Sequence, residues 1–209
     1  ANSTGYELLG EWTDAVYLSR DAAWDIGDTL LATVPHTGGL AAGAIYRQST
    51  NVLVPGDLPG PHYIIVRADL YRQEKEAGRT GNNVVPAGPF DLQFRTLPGD
   101  GTAVTGTLSA ADRDEYFVAH LGPGENLQLS LNGQAADGAY NLYASRNAVP
   151  SVQASDFRAV GSSPDKQLTL PGGFDAAEWY ILVRANQVTG NDTYQLSGQA
   201  YEVLLDRLS

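Results

Sequence analysis

Apolar residues in this chain come in short runs broken every few positions by Gly, Pro, Asn or Asp. Leu127, Leu129 and Leu131 alternate with Gln128 and Ser130, the two-residue period of a half-buried strand. Runs of strand length also fall at Ala15–Leu18, Asn51–Val54, Tyr63–Val66, Glu115–Val118, Asn141–Tyr143, Leu168–Leu170, Trp179–Val183 and Thr193–Leu196. Pro55-Gly56, Pro59-Gly60, Gly122-Pro-Gly124, Asn132-Gly133 and Pro171-Gly-Gly173 separate them as turns. Only Tyr71–Ala77 and Leu204–Leu208 read as helical, and both are short. Many strands at this spacing predict an all-β chain of antiparallel sandwiches rather than βαβ units.

Leu97-Pro-Gly-Asp-Gly101 is a turn-forming stretch near the midpoint. It predicts two tandem sandwiches, residues 1–96 and 102–200, with 97–101 as linker and 201–209 as a connector to a following module. Each half has the size of an immunoglobulin-like sandwich, about 100 residues. The halves also echo each other. His62-Tyr-Ile-Ile-Val-Arg-Ala-Asp69 matches Trp179-Tyr-Ile-Leu-Val-Arg-Ala-Asn186 at five of eight positions, and Tyr17-Leu-Ser-Arg-Asp-Ala22 resembles Tyr143-Ala-Ser-Arg-Asn-Ala148. Duplication and convergence on similar central strands both account for such an echo.

Composition narrows the function classes. The 209 residues carry a formal net charge of −11 and no Cys. That excludes a disulfide scaffold, a thiol nucleophile and a zinc ribbon. An acidic surface repels phosphate, so nucleic acid is not an expected partner. No apolar run reaches the roughly 18 residues of a membrane span. At 43% apolar and 18% charged residues the chain is a folding sequence, not a disordered one.

Specific residues carry two family resemblances. Trp12-Thr-Asp-Ala-Val-Tyr-Leu-Ser-Arg-Asp21, Asp25-Ile-Gly-Asp-Thr-Leu-Leu31, Leu53-Val-Pro55 and Tyr63-Ile-Ile-Val-Arg-Ala-Asp69, ending at Asn82-Asn83, resemble the CARDB family of bacterial cell-adhesion-related domains. The match covers roughly residues 12–94. The opening strands of that family are missing or shortened to Ala1–Glu11, which implies a fragment whose sheet edge a neighbouring module covers. Gly106-Thr-Leu-Ser109, Asp112-Arg-Asp-Glu-Tyr-Phe-Val118, Gly122-Pro-Gly124, Leu127-Gln-Leu129, Asn141-Leu-Tyr143 and Trp179-Tyr-Ile-Leu-Val183 resemble the bacterial pre-peptidase C-terminal (PPC) domain. This second resemblance implies a jelly-roll-like, non-catalytic sandwich in the second half. The family often has Asp where this chain has Asn141, so a metal role is not carried over to that position.

Candidate chemistry is sparse. His36, His62 and His120 belong to no metal-binding or zincin motif, and there is no nucleophile elbow. Asp21, Asp25 and Asp28 crowd one loop and are candidate calcium ligands, since calcium takes oxygen donors in flexible geometry. Ordinary turn chemistry explains the same carboxylates. Glu74, Glu76, Asn82 and Asn83 form a second acidic set, and Asp112, Asp114, Asp137, Asn141 and Asp192 a third. Trp24, between Asp21 and Asp25, is the candidate surface aromatic for stacking a ligand such as a sugar.

The sequence therefore predicts no enzyme and no required cofactor. It predicts a spacer or adhesion segment of a large secreted or cell-surface bacterial protein, flanked by other modules. The alternative is a calcium-assisted module that binds extracellular polysaccharide or protein and is appended to a secreted hydrolase.

Overall fold

The structure is a computed structural model, in which residues 2, 5–74, 83–134, 139–188 and 190–202 are described. These residues contain thirteen strands and no helix. In chain order they are β1 (Trp12–Ser19), β2 (Thr29–His36), β3 (Gly60–Arg67), β4 (Val84–Leu92), β5 (Arg95–Thr96), β6 (Val104–Ser109) and β7 (Asp114–Leu121). Then follow β8 (Glu125–Gly133), β9 (Ala139–Arg146), β10 (Phe157–Ala159), β11 (Lys166–Leu170), β12 (Ala177–Gln187) and β13 (Asn191–Glu202). The all-β expectation holds. No helix of the described residues is long and apolar enough to cross a membrane.

Two compact units emerge, one of Ala1–Pro55 with Pro59–Leu92 and one of Gly56–Leu58 with Gln93–Ser209. The first unit holds a four-stranded antiparallel sheet in the order β2-β1-β3-β4. Ala15, Tyr17 and Ile65 form its buried apolar cluster, with Trp24, Tyr63 and Leu70 packed against them. Where a two-sheet immunoglobulin-like sandwich is expected, the described residues of this unit form one sheet.

The second unit is a two-sheet sandwich. A five-stranded sheet, β10-β9-β12-β7-β5, and a four-stranded sheet, β11-β8-β13-β6, share one core. Leu127, Leu129 and Leu131 of β8 face Phe117, Leu142, Ile181 and Val183 of the other sheet, all of them buried. The alternation read in β8 is the alternation that fills this core.

The segment 97–101, expected as a linker, belongs to the second unit. Leu97 is buried in the core, and its N–H donates to the Val118 carbonyl of one sheet at 2.8 Å. Gly101 N–H donates to the Gly198 carbonyl of the other sheet, and Ala200 N–H donates to the Gly99 carbonyl. A single large apolar side chain among turn residues is enough to draw the stretch into the core. Of the connector, Tyr201 and Glu202 extend β13 opposite Asn126 and Glu125, while 203–209 lie outside the described residues.

Other departures have local causes. Asn51–Val54 forms no strand, and Leu53 and Val54 are exposed, so its apolar pattern faces no core. Residues 71–74 are turn and coil rather than helix; 75–77 and Leu204–Leu208 lie outside the described residues. β4 escapes the pattern because Pro86, Gly88 and Pro89 break it, yet a sheet edge tolerates proline there.

Candidate functional site

The β1–β2 side of the first unit gathers its polar groups into one network. β1 runs from Trp12 past Asp14, and both side chains are buried. Trp12 stacks on His36 of β2 at 4.0 Å between ring centroids, and Tyr46 closes on both rings. The Tyr46 hydroxyl donates to Asp14 Oδ2 and accepts from Trp12 Nε1 at 3.3 Å. Asp14 Oδ1 accepts from the buried Asp69 N–H at 3.0 Å. Asp69, at φ +46°, then accepts from the Gln73 and Glu74 amides at 2.6 and 3.0 Å. A left-handed backbone suits Asp, whose short side chain bonds locally. Burial, and then the bond to Asp14, pushes the Tyr46 pKa up to about 12. A phenol so held stays protonated, which is the wrong direction for a base or nucleophile. The network is a fastening.

The acidic loop between β1 and β2 is likewise turn chemistry. Asp21 Oδ1 accepts from Ala23 N–H at 2.7 Å, Asp25 Oδ1 from Gly27 N–H at 2.6 Å, and Asp28 Oδ2 from Asp25 N–H at 3.0 Å. Among the described residues no group of three or more His, Asp or Glu side chains comes together to hold a metal ion. Asp21, Asp25 and Asp28 are thus neighbours in sequence that cap separate backbone amides. Trp24 is half-buried: the Arg67 guanidinium lies 4.1 Å from its ring centroid, and the Tyr17 ring meets it at 6.0 Å. A cation over one face and packing against the core leave it a poor free platform for a sugar.

In the second unit Asp114 and Glu115 are paired, while one oxygen of Asp192 is buried without a hydrogen-bond partner among the described residues. Arg184 Nη1 donates to both Asp114 oxygens, at 2.9 and 2.7 Å, while burial lifts the Asp114 pKa against that pull. Glu115 accepts from Arg95 at 2.5 Å and from the buried Tyr194 hydroxyl at 2.6 Å. Burial and then Glu115 drive the Tyr194 pKa far above its ordinary value. Asn141 is buried, donates to the Tyr143 hydroxyl and accepts from Gly161 N–H. Asp137, Glu76 and Asn82 lie outside the described residues. His62 is buried against the Gly60 carbonyl, and His120 is exposed beside Glu178.

One surface was not anticipated. The loop from β11 to β12, Pro171–Ala176, carries Phe174 at 102% relative exposure. A groove of about 240 Å³ is lined by Gly124, Asn126, Gly172, Gly173 and Phe174. The loop is tied from both sides. Gly124 N–H donates to the Gly173 carbonyl at 2.7 Å, Gly172 N–H to Asn126 Oδ1 at 2.9 Å, and Arg146 Nη2 to the Asp175 carbonyl at 3.0 Å. A β-carbon on Gly172 would stand 2.6 Å from the Glu125 carbonyl oxygen, and one on Gly173 would stand 2.6 Å from the Arg146 guanidinium. The sequence signal was an aromatic residue placed among turn formers, outside any alternating run.

No family model matches the chain, and no curated protein matches it. Among solved structures it is similar to the pre-peptidase C-terminal domain of a collagenase from Bacillus anthracis, at 17% identity and a TM-score of 0.38. That likeness covers 52% of this chain and 98% of the other. It is also similar to PliG of Aeromonas hydrophila, a periplasmic inhibitor of g-type lysozyme, at 15% identity and a TM-score of 0.32, covering 51% and 98%.

Proposed function

We propose that this chain is a non-catalytic structural segment, a spacer or adhesion module, of a larger secreted or cell-surface bacterial protein. One observation carries the reading. The two tyrosine–carboxylate pairs, Tyr46–Asp14 and Tyr194–Glu115, hold their phenols protonated, with pKa values raised by burial. Catalysis needs groups poised near the working pH and open to a substrate. These pairs instead join distant parts of the chain, residues 14 to 46 and 115 to 194, within their own units.

The test combines turnover with melting. Chromogenic peptide, ester and glycoside substrates should show no turnover above buffer, and melting should be the same in EDTA and in millimolar calcium. Turnover that disappears in Asp14→Asn or Glu115→Gln overturns the structural reading. A melting temperature that climbs with calcium moves the assignment to the calcium-assisted binding module, because a ion held only by the folded state must stabilise it.

A further inference from the structure

We infer that the groove beside Phe174 is a binding site for a neutral saccharide, a single pyranose unit or the end of a glycan chain. The inference is independent of the spacer reading. Most apolar side chains of the second unit are drawn into its core, yet Phe174 stands wholly in water. Exposed apolar residues are common singly, so exposure alone says little. Here the exposure is built. Hydrogen bonds from Gly124, Gly172 and Arg146 fix the loop on either side of the ring. The glycine at 172 permits an approach to the Glu125 backbone that a β-carbon would block, and the one at 173 leaves room for the Arg146 guanidinium. A loop held this way presents its aromatic ring at little further ordering cost on binding, which is the condition for useful affinity from a small contact.

The chemistry of the lining selects the ligand. The ring is a flat apolar surface, and the rest of the groove is Gly124, Asn126, Gly172 and Gly173. The Gly124 and Gly172 amides are spent on holding the loop. That leaves carbonyl lone pairs and the Asn126 amide hydrogens to meet a ligand, with the Arg146 guanidinium beside Gly173 as the nearby charge. A sugar ring has a matching build: an apolar C–H face to lie on an aromatic ring, and hydroxyls around its rim to reach backbone groups. Charge argues against the anionic alternatives. The chain carries −11 overall, and Asp175 and Glu125 adjoin the groove in sequence. Against them stands the cation Arg146, whose Nη2 is already committed to the Asp175 carbonyl; the balance disfavours acidic glycans and nucleic acid. A groove of about 240 Å³ is below the range of drug-sized pockets, roughly 300–1,000 Å³, and suits one small ring rather than an extended ligand.

Binding is tested by titrating the isotopically labelled 209-residue chain with cellotriose, maltotriose, N,N′,N″-triacetylchitotriose and, as the acidic comparator, a heparin trisaccharide, following amide NMR shifts. The expected result is that at least one neutral trisaccharide shifts the amides of Gly124, Asn126, Gly172, Gly173 and Phe174, and that the heparin fragment does not. Phe174→Ala should weaken that binding about tenfold or more, and Phe174→Trp should restore it, with the melting temperature unchanged in both. Because Phe174 touches no core, its replacement leaves the fold to report on itself. The inference is overturned if no neutral trisaccharide moves these amides, if Phe174→Ala binds as the parent does, or if only the heparin fragment binds.

Discussion

The two units contain the same pair of strands in the same register, and their apolar clusters lie on opposite sides of it, although the second unit also covers Tyr143 and Leu182 on the other side. In the first unit β1 lies against β3 with Tyr17 opposite Ile65; in the second β9 lies against β12 with Tyr143 opposite Leu182. The sequence echo brings these positions together, and the flanking pairs follow: Val16 with Val66 matches Leu142 with Val183, and Leu18 with Ile64 matches Ala144 with Ile181. Yet the first unit clusters Ala15, Tyr17 and Ile65, whereas the second clusters Leu142, Ala144, Ile181 and Val183. Val66 is 40% exposed and its counterpart Val183 is fully buried. A strand of β-branched residues fits either side of a pleat, so what lies across from it decides which side becomes core. In the second unit that is the four-stranded sheet with its leucines. The first unit has a Trp and a Leu from loops, and it makes up the remainder with polar ties.

The comparison breaks most sharply at Ile181 and Ile64. Ile181→Ala should destabilise the second unit by about 2–5 kcal/mol, because a fully buried side chain leaves a cavity. Half-buried Ile64→Ala should cost less than half as much. Denaturant midpoints read with hydrogen exchange on β12 and β3 peptides will check both; equal losses would mean that the two sides are equivalent after all.

Next in size are the polar ties of the first unit. Asp14→Ala removes the acceptor of the Tyr46 hydroxyl and leaves the buried Asp69 N–H unpaired, at a cost of about 1–3 kcal/mol. Faster exchange should appear in β1, β3 and the 69–74 turn and be absent from β8 and β13. If β8 and β13 respond as strongly, the tie is not a property of the first unit.

The same tie sets an alkaline limit. With Tyr46 pushed up to about 12 in the folded chain and titrating near 10 when unfolded, the unfolded state loses its proton first. Stability from this residue is complete below pH 10 and drains away as the pH climbs towards 12. Tyr46→Phe should flatten that descent for β1 and β3 while leaving the contribution of Tyr194 to the second unit in place. An unchanged descent in those strands would place the titration elsewhere.

The smallest effect belongs to the acidic loop. Asp25→Ala gives up one exposed bond to Gly27 N–H and should cost under about 1 kcal/mol, seen as a small fall in melting temperature. A larger loss would give that loop a structural weight its geometry does not show.

Sequence reading reached the second unit further than the first. The leucine alternation of β8 and the apolar run of β12 announce themselves because both strands line a two-sheet core. β2 and β4 are harder to see, since each is an edge strand whose side chains are largely exposed and whose pairing tolerates Pro35, Pro86 and Pro89. The carboxylates of Asp21, Asp25 and Asp28 are legible as a cluster and as turn residues, and the structure gives each its own backbone amide. Trp24 looked like the aromatic on offer; a distant residue, Arg67, covers it, and no local pattern encodes that. Phe174 is the reverse case, an isolated aromatic whose exposure depends on Gly124 and Arg146, far from it in the chain.

The stretch around Leu97 joins both sheets of the sandwich, through Val118 on one side and Gly198 and Ala200 on the other. A protease that nicked the chain between Asp100 and Gly101 would therefore sever a covalent bond without freeing the pieces. The two fragments should travel together on a native gel and part only in denaturant, with the upstream fragment keeping Leu97 plugged into a core that belongs to its partner.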